Sequence, residues 1–132
     1  MEVRVESMVC RVEDSPSRRY LEARVEIVGE DVVVAVGGGE RPHVGCVVLA
    51  QPCRTKMGGQ GWSASCSVLT IPPHKEEPIA RAVATRIVEV LGMVAVVTAG
   101  VHDDEIDAKG IATYLRLGEE LAEMLAGDLS KR

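Results

Sequence analysis

Three histidines stand where hydrophobic segments meet loops. His43 occurs in Arg-Pro-His-Val-Gly, His74 in Ile-Pro-Pro-His-Lys and His102 in Ala-Gly-Val-His-Asp-Asp. Near neutral pH an imidazole can donate or accept a hydrogen bond, bind a metal ion or contact a phosphate. A β-sheet could bring three such strand ends together from distant parts of the chain. If the ends converge, the chain has one polar site; if they do not, it has three loop histidines.

Glycines and cations accompany these histidines. The triplet Gly37–Gly39 leads directly to Arg41 and His43, and Lys75 follows His74. The triplet matches neither the dinucleotide-binding nor the phosphate-loop glycine pattern, and no predicted helix follows it. A tight turn with positive φ explains it, and so does a backbone that must approach a ligand closely. With two cations nearby, contact with a phosphate or phosphosugar is the favoured chemistry.

A zinc site built from the three histidines is the competing interpretation. It requires three ring nitrogens at about 2.0–2.1 Å from one ion. Positions 43, 74 and 102 carry no local ligand spacing of the H-E-x-x-H kind. The four cysteines form no C-x-x-C pair and are interpreted as buried or inert thiols. No metal site is therefore predicted, although a small three-histidine metal-dependent enzyme stays an alternative.

Acidic pairs follow two of the histidines. Asp103 and Asp104 could orient His102 or act as a base, but capping of the last helix is the favoured interpretation. Glu76 and Glu77 are predicted to complement the positive end of a helix dipole. No serine stands in a G-x-S-x-G nucleophile elbow. The sequence therefore predicts no catalytic residue.

Composition limits the classes of partner. Twenty acidic against fifteen basic residues give a net charge of −5, and aromatic residues make up only 2% of the 132. Both features argue against a nucleic-acid partner, which is bound through cations and stacking aromatics. The charged opening segment predicts no signal peptide, and no apolar run approaches the ~20 residues of a membrane span. We therefore expect a cytoplasmic protein.

Hydrophobic periodicity predicts the elements that must position these residues. Apolar or alternating segments predict five strands, then a helix, a strand and a final helix, at residues 2–13, 20–28, 32–36, 43–50, 62–71, 78–91, 93–99 and 107–126. The glycine triplet is predicted to end the third strand, residues 51–61 to form a loop, and residues 128–132 to fray. The expected fold is one α+β domain over 1–132, with a largely antiparallel sheet of about six strands and both helices on one face.

The motifs also have a recognisable order. Gly-Gly-Gly-Glu-Arg-Pro-His43-Val-Gly precedes a serine-alternating strand ending in Ile-Pro-Pro-His74-Lys, and Ala-Gly-Val-His102-Asp-Asp-Glu-Ile comes last. This set resembles the prenylated-flavin chaperone family typified by the small D subunit of gallate decarboxylase (LpdD-like proteins), over about residues 20–125. The chain departs from the family pattern in two places. Pro73 replaces the usual glycine before His74, and Glu76-Glu77 stands where Asp-Asp or Asp-Glu is common.

The resemblance implies a fold similar to that of proteasome-assembly chaperones. It also implies a non-catalytic accessory role, in which the protein holds prenylated FMN or helps deliver it to a decarboxylase of the UbiD type. Carried over by motif, the ligand site comprises Gly38, Gly39, His43, His74, Lys75 and His102. Arg41 is added as the cation beside the glycine triplet. Few aromatics leave flavin stacking to Trp62 or to aliphatic walls.

Self-association and a second function complete the expectations. The acidic last helix and exposed sheet edges favour a homo-oligomer, at least a dimer. The main alternative to a flavin chaperone is a protein-assembly chaperone without a ligand, an inference that rests on fold analogy alone.

Overall fold

The computed structural model describes residues 6–54, 61–72 and 76–132. Six strands and two helices follow one another in the predicted order. They are β1 (Ser7–Glu13), β2 (Tyr20–Val28), β3 (Asp31–Gly39), β4 (Cys46–Arg54), β5 (Trp62–Thr70), α1 (Glu77–Leu91), β6 (Ala95–His102) and α2 (Ala108–Ser130).

The strands form one sheet in the order β1-β2-β3-β6-β4-β5. Every neighbouring pair is antiparallel except β3 and β6, which are parallel. Helix α1 connects β5 to β6 and packs on β4, β5 and β6, so it crosses over β4 to return the chain to the middle of the sheet. The largely antiparallel α+β sheet with a crossover helix confirms the prediction.

Both helices cover the same face of the sheet. Alternate residues of β3, namely Val32, Val34 and Val36, are buried beneath them, whereas Val33 between them is exposed. Period-2 burial of this kind is what a sheet with one solvated face produces. Strand β3 lies inside the sheet, between β2 and β6. Among the described residues no helix covers its other face, called here the uncovered face.

The helix interface depends on a small residue. Helix α2 buries a stripe of leucines, Leu117, Leu121 and Leu125, and packs along α1. Between two of them, a Cβ at Gly118 would lie 3.3 Å from Ile79 Cγ1. The absence of a side chain there lets the two helices approach closely. Among the described residues, neither helix has both the length and the apolar character needed to cross a bilayer.

Several predicted boundaries are wrong because tertiary contacts override the local sequence. Strand β3 continues through the glycine triplet because its last residues pair with β6 as far as Gly39–His102. Strand β6 accordingly runs to His102 rather than ending at Ala99. Helix α2 does not fray at residue 128, because Leu129 is buried in the core.

Strand β4 is displaced from its predicted range. It begins at Cys46 rather than at His43, and it continues through Pro52 to Arg54. Pairing with β6 ends at Ala50, so Pro52 has a strand neighbour only on the β5 side. Proline has no backbone N–H to donate. It is tolerated there because one side of the strand has no neighbouring strand that would accept that hydrogen bond.

Candidate functional site

Strand direction brings most of the predicted site residues to one end of the sheet. Strands β3 and β6 finish there at Gly39 and His102, and β4 begins there at Cys46. The backbone N–H of Arg41 donates to the carbonyl of His102 at 3.1 Å. We call this region the histidine end. Helix α1 also begins there, because Glu76 contacts His43.

The loop that carries Pro42 and His43 folds onto the uncovered face over two glycines. Gly37 and Gly100 are partners in the β3–β6 register. A Cβ at Gly37 would lie 3.1 Å from Pro42 Cβ, and one at Gly100 only 1.6 Å from the carbonyl oxygen of His43. Gly100 must be glycine for the loop to lie flat on the sheet, and a side chain at Gly37 would press against Pro42. The sequence analysis missed Gly100, although its place two residues before His102 was a visible signal.

The two other glycines of the triplet also have reasons within the protein. A Cβ at Gly38 would lie 2.3 Å from the Tyr20 carbonyl oxygen. Gly39 has a φ of +78°, and a Cβ there would lie 2.6 Å from the His102 carbonyl oxygen. Backbone packing accounts for Gly38, and a positive φ accounts for Gly39. Their role toward a ligand stays a prediction.

His43 is held by the protein through both ring nitrogens. Nδ1 lies 3.1 Å from the Arg41 carbonyl oxygen, and Nε2 lies 3.0 Å from Glu76 Oε1. A ring N–H can donate to either oxygen. The two contacts therefore tie the loop to the start of α1.

Glu76 immediately precedes α1 and so lies at the positive end of the helix dipole, where it was predicted. It makes no side-chain capping hydrogen bond. Only 5% of Glu76 is exposed, and its carboxylate lies against Gly45, where a Cβ would be 2.7 Å from Oε2. A buried carboxylate needs a charged or hydrogen-bonding partner, which His43 supplies.

His102 is exposed and faces a different carboxylate. Its Nε2 lies 3.0 Å from Asp104 Oδ1, and the same oxygen accepts from the Arg41 guanidinium. Hydrogen bonds from His102 and then from Arg41 lower the pKa of Asp104. The predicted capping role of Asp103 and Asp104 is not observed, because Asp107 caps α2 by accepting from the Gly110 N–H.

Asp103 connects four parts of the fold. Its carboxylate accepts hydrogen bonds from the Glu40 N–H at 2.9 Å, the Tyr114 hydroxyl at 2.6 Å and Arg19 Nε at 3.2 Å. Burial acts to raise the pKa of Asp103, but these three hydrogen bonds outweigh it and the pKa is lowered. Burial, and then the bond to Asp103, raise the pKa of Tyr114. Arg19 and Tyr114 are far apart in sequence and carry no local motif, so sequence reasoning missed them.

A cavity of about 320 Å³ opens at the histidine end between the first turns of the two helices. We call it the aliphatic cavity, because five of its lining residues are Ile79, Val101, Ile106, Ile111 and Leu115. The remaining lining is polar or aromatic and consists of Glu76, His102, Asp103, Glu105 and Tyr114.

Two further hollows flank this end. One of about 360 Å³ lies on the uncovered face, where Arg11 and Arg24 border a floor that includes Ala35, Gly37 and Thr98. The other, of about 340 Å³, is lined by residues that include Ser17, Arg18, Arg19 and Gly39. The histidine end thus combines apolar and basic concave surfaces within one region.

A protein-family model matches most of the chain. The model of the prenylated flavin chaperone LpdD-like domain matches residues 15–130. The chain belongs to this family. No curated protein matches the LpdD-like chain. Among solved structures, it is similar to a chain in the crystal structure of a chaperone complex for yeast 20S proteasome assembly, with a TM-score of 0.59. The identity is 16%, and the match covers 93% of this chain and 96% of that one, so the likeness concerns the fold.

Two predicted ligands of this LpdD-like chain, His74 and Lys75, lie outside the described residues. They immediately precede Glu76 in the chain. Within the ranges 6–54, 61–72 and 76–132, no cluster of three or more His, Cys, Asp or Glu side chains has an arrangement that could hold a metal ion. Because His74 is outside those ranges, the three-histidine site stays untested.

Trp62 lies at the end of the sheet opposite the histidine end. It begins β5, and its indole packs on Gly92, the left-handed C-cap of α1, where a Cβ would be 2.4 Å from Nε1. The Arg54 guanidinium covers its ring at 4.0 Å. Trp62 therefore cannot stack on a ligand at the histidine end, and aliphatic walls are the alternative that the fold offers to the LpdD-like domain.

Proposed function

We propose that this chain is a cytoplasmic, non-catalytic chaperone that binds prenylated FMN and helps deliver it to a UbiD-type decarboxylase. Membership of the LpdD-like family over residues 15–130 supports a chaperone role. The observation that carries the proposal is the aliphatic cavity beside His102, at the same end of the sheet as Arg41. A prenylated flavin has a large apolar ring system and an anionic phosphate, and such a region can meet both.

The site residues have different tasks in this proposal. Arg41 and His102 are exposed, and none of the described residues hydrogen-bonds His102 Nδ1, so both can reach a ligand. His43 positions the loop through Glu76 instead of meeting the ligand directly. Gly38 and Gly39 shape the backbone, and we propose Lys75 and His74 as further ligand groups. Bound prenylated FMN would supply the decarboxylase with its electron-accepting ring, while this chain binds, orients and shields it.

Titration of the purified protein with prenylated FMN, and with FMN as the control, tests the proposal by absorbance and calorimetry. We expect saturable binding of prenylated FMN that His102→Ala and Arg41→Ala each weaken about tenfold, the effect of about 1.4 kcal/mol. Arg86 of α1 lines none of the three hollows, and Arg86→Ala should leave the affinity unchanged. Absence of binding to either flavin would refute the role of cofactor carrier.

The ligand-free assembly chaperone is the second candidate. Its support is the fold shared with a chain of a proteasome-assembly chaperone complex, together with the uncovered face. This face exposes Val33, Leu49 and Leu69, the last at 75%. Exposed aliphatics in one region are typical of a protein-binding surface. Tight binding of a client protein in the absence of any flavin would favour this function.

We also propose that the chain forms at least a dimer. The exposed aliphatic residues of the uncovered face support self-association, as do the two edge strands β1 and β5. Sedimentation of the wild type and of Leu69→Glu tests the proposal. A lower molecular mass for the variant is expected, and a wild-type monomer at high protein concentration would contradict it.

A further inference from the structure

Two apolar residues that line the aliphatic cavity are partly exposed to solvent. Ile111 and Leu115 stand four residues apart on α2, and thus on one face of that helix. They are 42% and 41% exposed although both line the cavity. Opposite them, Ile79 of α1 and Val101 of β6 complete a concave apolar surface. Apolar surface of this shape gains free energy when a ligand removes it from water.

The electrostatic character of the cavity selects against an anion. The described residues that line it include the carboxylates Glu76, Asp103 and Glu105, but no lysine or arginine. Two of these carboxylates are already paired, Glu76 with His43 and Asp103 with Arg19. A phosphate placed inside would therefore meet no lysine or arginine among the described residues and would lie close to negative charge. An uncharged ring, by contrast, meets aliphatic walls and carboxylate acceptors for its N–H groups.

The size of the cavity is consistent with a ring system. Its volume of about 320 Å³ is at the lower end of the roughly 300–1,000 Å³ range of small-molecule sites. A space of this size accommodates fused rings but not a complete nucleotide with its extended tail. The ligand chemistry that fits is therefore flat, largely apolar and without a phosphate.

We infer that the aliphatic cavity holds the ring system of the flavin, while the phosphate stays outside it on the side of Arg41. This inference rests on the proposed function and adds Ile79, Ile111 and Leu115 to its site. It also divides the ligand between two surfaces, so that the ring depends on cavity residues and the phosphate on Arg41.

Lumiflavin, which has the flavin ring but no phosphate, separates the two contributions. Leu115→Trp fills the cavity, and Leu115→Gln removes apolar surface without adding bulk. Both variants are expected to weaken the binding of lumiflavin and of prenylated FMN at least tenfold. Arg41→Ala should weaken the binding of prenylated FMN alone. Met124→Trp is the matched control, since Met124 is another half-exposed residue of α2, at 39%, and does not line the cavity.

The outcomes distinguish this inference from the proposed function. Wild-type binding of prenylated FMN that neither Leu115 variant changes would refute the cavity as the ring site and leave the chaperone function standing. Failure of the wild type to bind prenylated FMN would refute both. Because Leu115 is nearly half exposed, the variants are expected to fold, and circular dichroism with thermal unfolding checks this.

Discussion

Tyr114 donates its hydroxyl to Asp103 across 2.6 Å and so fastens the first half of α2 to the end of β6. Tyr114 is buried, and Asp103 is largely so. The bond therefore lies in a region where water competes weakly. The same carboxylate accepts a hydrogen bond from the Glu40 N–H, which fixes the loop that carries Arg41. One side-chain pair thus positions two parts of the candidate site.

Tyr114→Phe is expected to lower the free energy of unfolding by about 1.5–3 kcal/mol, the range for a hydrogen bond to a charged group. Urea denaturation at pH 7 measures the change. The hydroxyl is removed without loss of ring packing, so a core defect is avoided. Tyr20→Phe is a matched control, because the Tyr20 hydroxyl donates only to the neutral Gly39 carbonyl at 3.3 Å. Equal effects of the two substitutions would contradict the central role of Asp103.

Stability should also depend on pH through Asp103. Its pKa is lower in the folded protein than its ordinary value, so the ionised form stabilises the fold. This contribution is fully present above the ordinary aspartate pKa of about 3.9 and is lost as the pH falls through the lowered value. Asp103→Asn should therefore reduce the acid dependence of unfolding. The thermal midpoint measured from pH 7 to pH 2 tests this, and parallel curves for variant and wild type would disprove it.

Gly100→Ala is expected to destabilise the protein by roughly 2–3 kcal/mol, because the new methyl group overpacks a filled position. A Cβ there would lie 1.6 Å from the His43 carbonyl oxygen, so the loop must leave the sheet. Gly127→Ala is the control. Nothing lies within 4 Å of a Cβ at Gly127, and alanine in a helix should raise stability by about 0.5–1 kcal/mol. Denaturant midpoints measure both effects, and a harmless Gly100→Ala would show that the loop does not lie on β6.

His43 and Glu76 are expected to be energetically coupled. A double-mutant cycle with His43→Gln and Glu76→Gln should give a coupling free energy of about 1 kcal/mol or more in urea unfolding at neutral pH. The physical reason is the 3.0 Å contact to a buried carboxylate. The exposed pair Arg41–Asp104 is the comparison, and it should give a smaller value because solvent screens it. Additive effects at His43 and Glu76 would show that the contact does not stabilise the fold.

The cysteines should differ in reactivity. Burial, and then the hydrogen bond to Asp128, raise the pKa of the Cys10 thiol to about 11. Burial also raises the pKa of Cys46. Since the thiolate is the reactive form, both should resist alkylation at pH 8, whereas the exposed Cys53 reacts first. Peptide mass mapping after a brief iodoacetamide treatment measures the order. Early modification of Cys10 would contradict its burial beside α2.

Patterns carried by neighbouring residues predicted the fold well. The helix predicted at residues 78–91 is α1, Glu77–Leu91, and it ends at the left-handed C-cap Gly92, with a φ of +65°. The order of the strands and helices, and the packing of both helices on one face of the sheet, were also predicted. Partners distant in sequence were not predictable in the same way. Nothing local indicates that Gly37 and Gly100 lie side by side, although that pairing decides where β3 and β6 end.

The candidate site shows the same difference between local patterns and contacts distant in sequence. The residues predicted from histidine, glycine and arginine motifs, Gly39, Arg41, His43 and His102, lie together at one end of the sheet. The tasks of individual residues were not visible, because they depend on contacts made by Glu76 and Asp103. Both carboxylates were interpreted through helix electrostatics, but long-range hydrogen bonds with His43, Arg19 and Tyr114 determine what they do.

The position of β6 between β3 and β4 has a consequence for synthesis on the ribosome. The hairpins β1-β2-β3 and β4-β5 precede it in the chain, and each presents an unpaired inner edge until residues 95–102 are available. Exposed edges of this kind invite pairing with other nascent chains. Closure of the sheet must therefore await residues 95–102, and its formation is expected to be slow because the closing contacts are non-local. Gly39 meets His102 only in that step, so the histidine end forms after both hairpins.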